Sequence, residues 1–222
     1  AFINGIQDAG ALACAKHFPG HGNTSVDSHT SLPTIPGTKK ELEEIELFPF
    51  QNAINSEVKM IMVGHISVPG LDSTLVPATH SKIISTNILK EQMGFEGILV
   101  TDGLEMGSIT NTSSAGEACV KAIEAGSDML LLPMNVDKAI SAIMQAVTTG
   151  RISESRIDES VKKIWEAKVS LKLFDHPFTK WTSVENNIGL KDNKSTAQLT
   201  ANRSITLVKN KNNLVPLKPS KL

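Results

Sequence analysis

Between Lys16 and His29 the chain carries a cation, three imidazoles and a carboxylate: Lys16-His17-Phe18-Pro19-Gly20-His21-Gly22, then Asp27-Ser28-His29. Pro19, Gly20 and Gly22 bend such a loop and let its backbone come close to a ligand. A lone histidine is more often a satisfied core or surface residue, but this density of titratable groups points to chemistry. In Asp27-x-His29 a carboxylate two residues away bonds one ring nitrogen and fixes the tautomer. The other nitrogen is left to exchange a proton, which describes a general acid/base. A second cluster, Thr101-Asp102-Gly103, follows the apolar run Gly97-Ile98-Leu99-Val100. A carboxylate at a strand end, followed by glycine, has the exposure a nucleophile needs, although Asp also caps helices. The third is Gly64-His65-Ile66, where His65 could bond a ligand hydroxyl, orient Asp102, or simply pack.

These side chains need elements to bring them together. Short β-branched runs alternate with stretches of helical period up to about residue 175, the pattern of β/α units around a parallel sheet. Strands are expected at 13–18, 58–66, 97–101 and 129–132. Helices are expected at 39–56 (N-cap Thr38), 79–92 (ending at Gly94), 114–125 (ending at Gly126), 136–149 and 154–169 (N-cap Ser153). Four such units fit an open doubly wound sheet or half of a closed eight-stranded barrel. The chemical clusters fall at carboxyl ends of successive strands, which favours the barrel. Residues 1–173 are therefore expected to be half of a (β/α)8 barrel. Pro, Lys, Asn and Thr then predict an extended linker over 174–194. Beyond it, a new unit is expected over 195–222, with a helix at 195–201, a strand at 205–209, a turn at 210–213 and a further apolar run at 214–217.

The 222 residues are 40% hydrophobic with a formal net charge of -1. That leaves no cationic excess for a nucleic acid or an anionic membrane. No run approaches the length of a membrane span, and the opening Ala1 to Gly10 has no signal-peptide pattern. Cys14 and Cys119 sit in apolar contexts without paired spacing and read as small buried side chains. Two reaction classes remain. Metal-assisted hydrolysis has enough histidines, but Pro19-Gly20 keeps His17 and His21 off one helical face. Double displacement at a glycosidic bond uses Asp102 as nucleophile with a histidine, rather than a second carboxylate, as its partner. A non-enzymatic binding module fits the titratable density least well.

The same residues carry a resemblance. The chain is similar to glycoside hydrolase family 3, in its β-N-acetylhexosaminidase branch, through Lys16 to Gly22 (KHFPGHG), Asp27 to His29 (DSH), Leu32-Pro33, Glu46 to Phe50 (ELFPF) and Gly64-His65. Further on come Pro77 to Thr79 (PAT), Met93 to Met106 (MGFEGILVTDGLEM) and Ala125 to Pro133 (AGSDMLLLP). The resemblance implies that Asp102 is the nucleophile and that Asp27 and His29 are an acid/base dyad on a mobile loop. Lys16 and His17 resemble a pair that bonds sugar hydroxyls. It also implies substrates that are N-acetylglucosamine-containing saccharides or muropeptides, no cofactor, and a role in peptidoglycan turnover. Phosphorolysis in place of hydrolysis stays open. On the family's plan the strands here resemble the fifth to eighth, making residues 1–173 the second half of the (β/α)8 barrel, and 195–222 resembles the opening of the family's second, α/β sandwich domain. The chain is therefore expected to be a fragment whose preceding half-barrel is needed for activity. Two-domain relatives resemble exported or lipid-anchored enzymes, which points to the bacterial cell wall, with the cytoplasm as the alternative.

Overall fold

The computed structural model describes residues 1–216, which divide at Phe174 into two compact units. In the first, helix α1 (Phe2–Asp8) precedes strand β1 (Cys14–Phe18); helices α2 (Lys39–Ile45) and α3 (Phe48–Asn55) lead to β2 (Met60–Val63). A 3-10 turn at Ala78–His80 and a π-helical segment at Ile83–Gln92 connect to β3 (Ile98–Gly103). Helices α4 (Gly107–Thr110) and α5 (Ala115–Ala125) then lead to β4 (Met129–Leu131), followed by α6 (Val136–Thr148) and α7 (Glu154–Ser170). The strands form one parallel sheet in the order β1-β2-β3-β4, with Cys14 opposite Met60, Met60 opposite Ile98 and Val100 opposite Met129. All four expected strands are present. The helices cover the sheet and bury Phe18, Ile61, Val63, Ile66, Ile84, Leu89 and Leu99 in one core, while α5 and α6 pack through Val120, Ile123 and Ala146.

Sequence-local chemistry sets most boundaries. Thr38 and Glu41 form a reciprocal capping box on α2, and Ser114, Asn135 and Ser153 cap α5, α6 and α7. Gly126, with φ 122°, ends α5 as expected. The single helix expected over 39–56 is instead two. Pro49 lies in the first turn of α3, where its missing N–H costs nothing, but as a continuation of α2 its ring would meet the preceding turn. The helix expected over 79–92 likewise divides, into the 3-10 turn and the π-helical segment. Cys14 is exposed on outer strand β1 rather than buried, whereas Cys119 is buried in α5.

The second unit departs further from expectation. Helix α8 (Trp181–Asn187) lies inside the expected linker, and α9 (Lys191–Ser204) begins before the expected helix start. Residues 205–209, expected as a strand, pair with no other strand among the described residues. The β-branched pattern is there, but a strand needs a ladder partner. Lys211–Asn213 makes the expected turn, with Asn212 and Asn213 at positive φ. Leu217, the end of the last expected run, falls outside the described residues.

Candidate active site

The sheet gathers the three clusters at the carboxyl ends of β1, β2 and β3. The β3–β4 register shifts between Val100 and Gly103, where Thr101 Oγ1 accepts the Leu131 amide (3.0 Å) in place of a regular ladder bond. A bulge of this kind re-aims side chains at a strand end. Asp102 sits in it, its Oδ1 accepting the Gly103 amide (2.8 Å) and its Oδ2 lying 3.5 Å from His17 Nε2. The Asp102 side chain keeps 19% of its surface exposed, enough to meet a ligand. Across the sheet, the β1–β2 register shifts between Lys16 and Phe18, which carries His17 toward Asp102. Gly64 leaves room for it: a Cβ there would come within 3.1 Å of the His17 Cβ. Burial pushes the His17 ring below its ordinary value; Asp102 opposes this, while Lys16, His21 and His29 push the same way. His17 is therefore the neutral partner of Asp102 at neutral pH. Lys16 is exposed beside it.

His65 is fully buried. Its Nε2 faces the carbonyl of Gly103 at 2.9 Å and its Nδ1 the hydroxyl of Thr79 at 2.7 Å. A carbonyl only accepts, so Nε2 carries the proton, while Nδ1 and the Gly64 carbonyl (3.0 Å) share the one proton of the Thr79 hydroxyl. Burial also pushes this ring below its ordinary value, with the Gly103 bond and Asp102 acting against it. With both nitrogens engaged inside the protein, His65 is not a ligand-binding side chain in this arrangement. Of the three readings of His65, this geometry favours a packed ring that holds the backbone next to Asp102. Thr79, which completes this arrangement, stands in the sequence only as part of the Pro77-Ala78-Thr79 run, which by itself signals nothing about a partner that far away.

The loop between β1 and α2 brings in the dyad. Asp27 Oδ1 accepts both the backbone amide (2.9 Å) and ring Nδ1 (2.7 Å) of His29, and the Asp27 carbonyl accepts from Thr30 and Ser31. The bond from the His29 amide, then that from its ring, hold the Asp27 carboxyl below the usual carboxylate range. Nδ1 is thereby the protonated nitrogen, and Nε2 faces outward on a side chain 74% exposed. The loop leans on the segment after Asp102: the Gly107 amide donates to the His29 carbonyl (3.1 Å) and Asn111 Nδ2 to the Thr30 carbonyl (3.3 Å). His21 packs edge-on to His17 at 6.0 Å between ring centroids and lies 3.1 Å, through Nε2, from Ser28 Oγ. Asp102, His17, His21 and Ser28 thus form one chain of contacts, with the Asp27/His29 pair on the loop that carries Ser28. Among the described residues no three His, Cys, Asp or Glu side chains are grouped to hold a metal ion.

A cavity of about 590 Å³ lies elsewhere, lined among others by Lys90, Asp128, Arg151 and Arg156. It sits at the amino ends of β3 and β4, where the Asp128 amide bonds the Leu99 carbonyl. Conserved chemistry in parallel α/β barrels sits at the opposite rim. The cavity's charged groups are occupied with one another, Asp128 meeting Lys90 at 3.1 Å and Arg156 at 3.2 Å.

Comparison with known proteins identifies the family and the fold. The chain is 31% identical over 191 residues to a β-hexosaminidase A of Pseudoalteromonas piscicida, an alignment covering 77% of this chain and 32% of that protein. A glycoside hydrolase family 3 β-N-acetylglucosaminidase from Paenibacillus sp. str. FPU-7 superimposes with a TM-score of 0.88 at 36% identity, over 94% of this chain and 40% of that one. A β-glucoside phosphorylase gives a TM-score of 0.90 at 28% identity, over 98% of this chain and 41% of its own. The chain thus spans between 32% and 41% of the length of these three proteins. The family description "Glycosyl hydrolase family 3 N terminal domain" matches residues 1–167, the span that contains the whole sheet and every side chain of the rim, and the chain belongs to that family.

Proposed function

We propose that the protein carrying this chain is a retaining exo-β-N-acetylglucosaminidase, acting on terminal N-acetylglucosamine of cell-wall saccharides. The four strands would form the second half of a (β/α)8 barrel; β1 and β4, the outer strands of the sheet, are where the other half would pair. The single observation that carries the reading is the rim itself. A part-exposed carboxylate at the end of β3 stands beside a loop that presents an aspartate-anchored imidazole.

In the first step an Asp102 carboxylate oxygen bonds the anomeric carbon as the glycosidic C–O bond breaks, and protonated His29 Nε2 gives its proton to the departing oxygen. In the second, neutral His29 takes a proton from water, whose oxygen bonds the anomeric carbon and frees Asp102. Asp27 holds His29 by Nδ1 throughout. His17 lies at this rim beside Asp102, and Lys16, its neighbour in the chain, would join it in bonding sugar hydroxyls. The names of the Pseudoalteromonas and Paenibacillus relatives support the hexosaminidase reading over a glucosidase. Location at the cell wall and muropeptide preference belong to the same proposal.

The test is an assay of full-length protein, Asp102→Asn and His29→Ala on aryl N-acetylglucosaminides with good and poor leaving groups. Values of kcat/KM report the step that breaks the glycosidic bond. Asp102→Asn is expected to be nearly inactive on both substrates. His29→Ala is expected to lose about 100-fold or more on the poor leaving group and little on the good one. Equal losses for His29→Ala on both would contradict its role as acid. The likeness to a phosphorylase favours one second reading, in which phosphate replaces water in the second step. Sugar 1-phosphate as the main product when inorganic phosphate is added would establish it.

A further inference from the structure

The acid/base loop is held from two sides, and neither hold involves the dyad's own side chains. On the inner side, Ser28 is almost fully buried between two exposed neighbours, and its hydroxyl has one partner, His21 Nε2 at 3.1 Å. His21 in turn packs against His17, which faces Asp102. On the outer side, the Gly107 amide and the Asn111 carboxamide, from the start and C-cap of α4, bond the carbonyls of His29 and Thr30. The fit there is close: a Cβ on Gly107 would stand 2.8 Å from both carbonyl oxygens. Since α4 begins four residues after β3 ends, the outer hold fixes the loop to the strand that carries Asp102.

We propose that Ser28 and Asn111 are positioning residues: the two form a clamp that keeps the Asp27/His29 loop docked over the rim, so that His29 Nε2 stays within reach of the departing oxygen. The inference rests on the proposed acid/base role of His29. Its physical basis is that a loop with few buried apolar contacts is ordered by its hydrogen bonds, and each bond lost shifts the loop toward open conformations. A misplaced acid then loses its geometric advantage even with its own chemistry intact. Asp27 and His29 fix each other's orientation within the loop; the clamp fixes where the loop lies.

The test uses full-length protein with Ser28→Ala, Asn111→Ala and the hydroxyl-preserving Ser28→Thr. Amide hydrogen exchange over 23–31 reads the docking without reference to activity. Each alanine variant is expected to exchange about two- to tenfold faster there, with unchanged exchange in β2 and β3, and Ser28→Thr to stay near the parent. In kcat/KM the alanine variants are expected to lose about tenfold or more on a poor leaving group and about twofold or less on a good one. Unchanged exchange over 23–31 in both alanine variants overturns the clamp. So do faster exchange with equal losses on the two substrates while His29→Ala shows the leaving-group bias, and a Ser28→Thr that behaves as Ser28→Ala. Absence of that bias in His29→Ala itself overturns the acid/base reading instead, and is seen separately from the exchange data.

Discussion

Asp27 spends a single carboxylate oxygen on two bonds from one residue, the amide and the ring Nδ1 of His29. The amide bond sets the turn and the ring bond sets the tautomer, so replacing the carboxylate by a carboxamide separates the two. In Asp27→Asn the amide oxygen keeps the turn, but it is a weaker acceptor for Nδ1–H than a carboxylate. The expected result is a fall of about tenfold or more in kcat/KM on a poor leaving group, with the loop's hydrogen exchange unchanged. The pH dependence follows from the Asp27 carboxyl, whose ordinary value is 3.8 and which these bonds lower. It stays ionised as pH falls through that value, so the pair keeps its order down to below pH 4 and Asp27 sets no acid limb above it. An acid limb that appears in the parent near pH 5 and vanishes in Asp27→Asn would contradict this. The dyad was legible in the sequence because its geometry is local, two residues apart. Ser28 and Asn111 were not, because their partners at His21 and Thr30 depend on how a loop folds back and where α4 starts.

At the scale of elements, a buried carboxylate anchors the start of β4. Asp128 precedes it with a side chain 1% exposed, which accepts the Leu99 amide (3.0 Å) and the Ser160 hydroxyl (3.0 Å). Around it stand Lys90, Arg156 and Lys163, from the π-helical segment and α7. Burial pushes this carboxyl up, and Lys90, the Leu99 amide and Lys163 together outweigh it, so it stays ionised at neutral pH. Removing the charge leaves three cations facing one another around a buried amide. Asp128→Asn is therefore expected to destabilise by about 3 kcal/mol, read as a lower urea midpoint, with the rim's chemistry retained in whatever fraction remains folded. A midpoint equal to the parent would mean that the ion cluster is solvated and redundant. The elements this cluster joins were readable from apolar runs and cap residues, and the four strands are where periodicity puts them. What periodicity missed was set by other physics. Pro49 divides one apparent helix because its ring cannot follow a preceding turn, and residues 205–209 have strand composition but no ladder partner among the described residues.

Across the first unit, the layers are tied by His80, which links the connection after β2 to α5 through a bond from Nε2 to the Ala118 carbonyl at 3.1 Å. Burial is the main cause that pushes this ring from its ordinary 6.5 down to about 4; Lys121 and His65 push the same way, and the Ala118 bond and Glu117 push back less. The native ring is thus neutral where an unfolded one would protonate. Above pH 6.5 neither state holds the proton and the contribution to pH dependence vanishes. From 6.5 down to about 4 the unfolded chain binds a proton that the native one refuses, so stability falls as pH falls, and below about 4 the difference stops growing. At about 1.4 kcal/mol per pH unit this amounts to roughly 2 kcal/mol at pH 5. His17 and His65 are also lowered and add in the same direction. Asp128, whose value is lowered from 3.8, contributes its own loss only at more acid pH, so the two windows separate. The whole protein's urea midpoint should therefore drop between pH 7.5 and pH 5. In His80→Gln, whose side-chain amide can still donate to Ala118 but cannot titrate, the drop should be visibly smaller. Parallel pH dependences in the two proteins would show that the ring is not shielded, and that the packing of α5 over the connection after β2 is looser than the geometry implies.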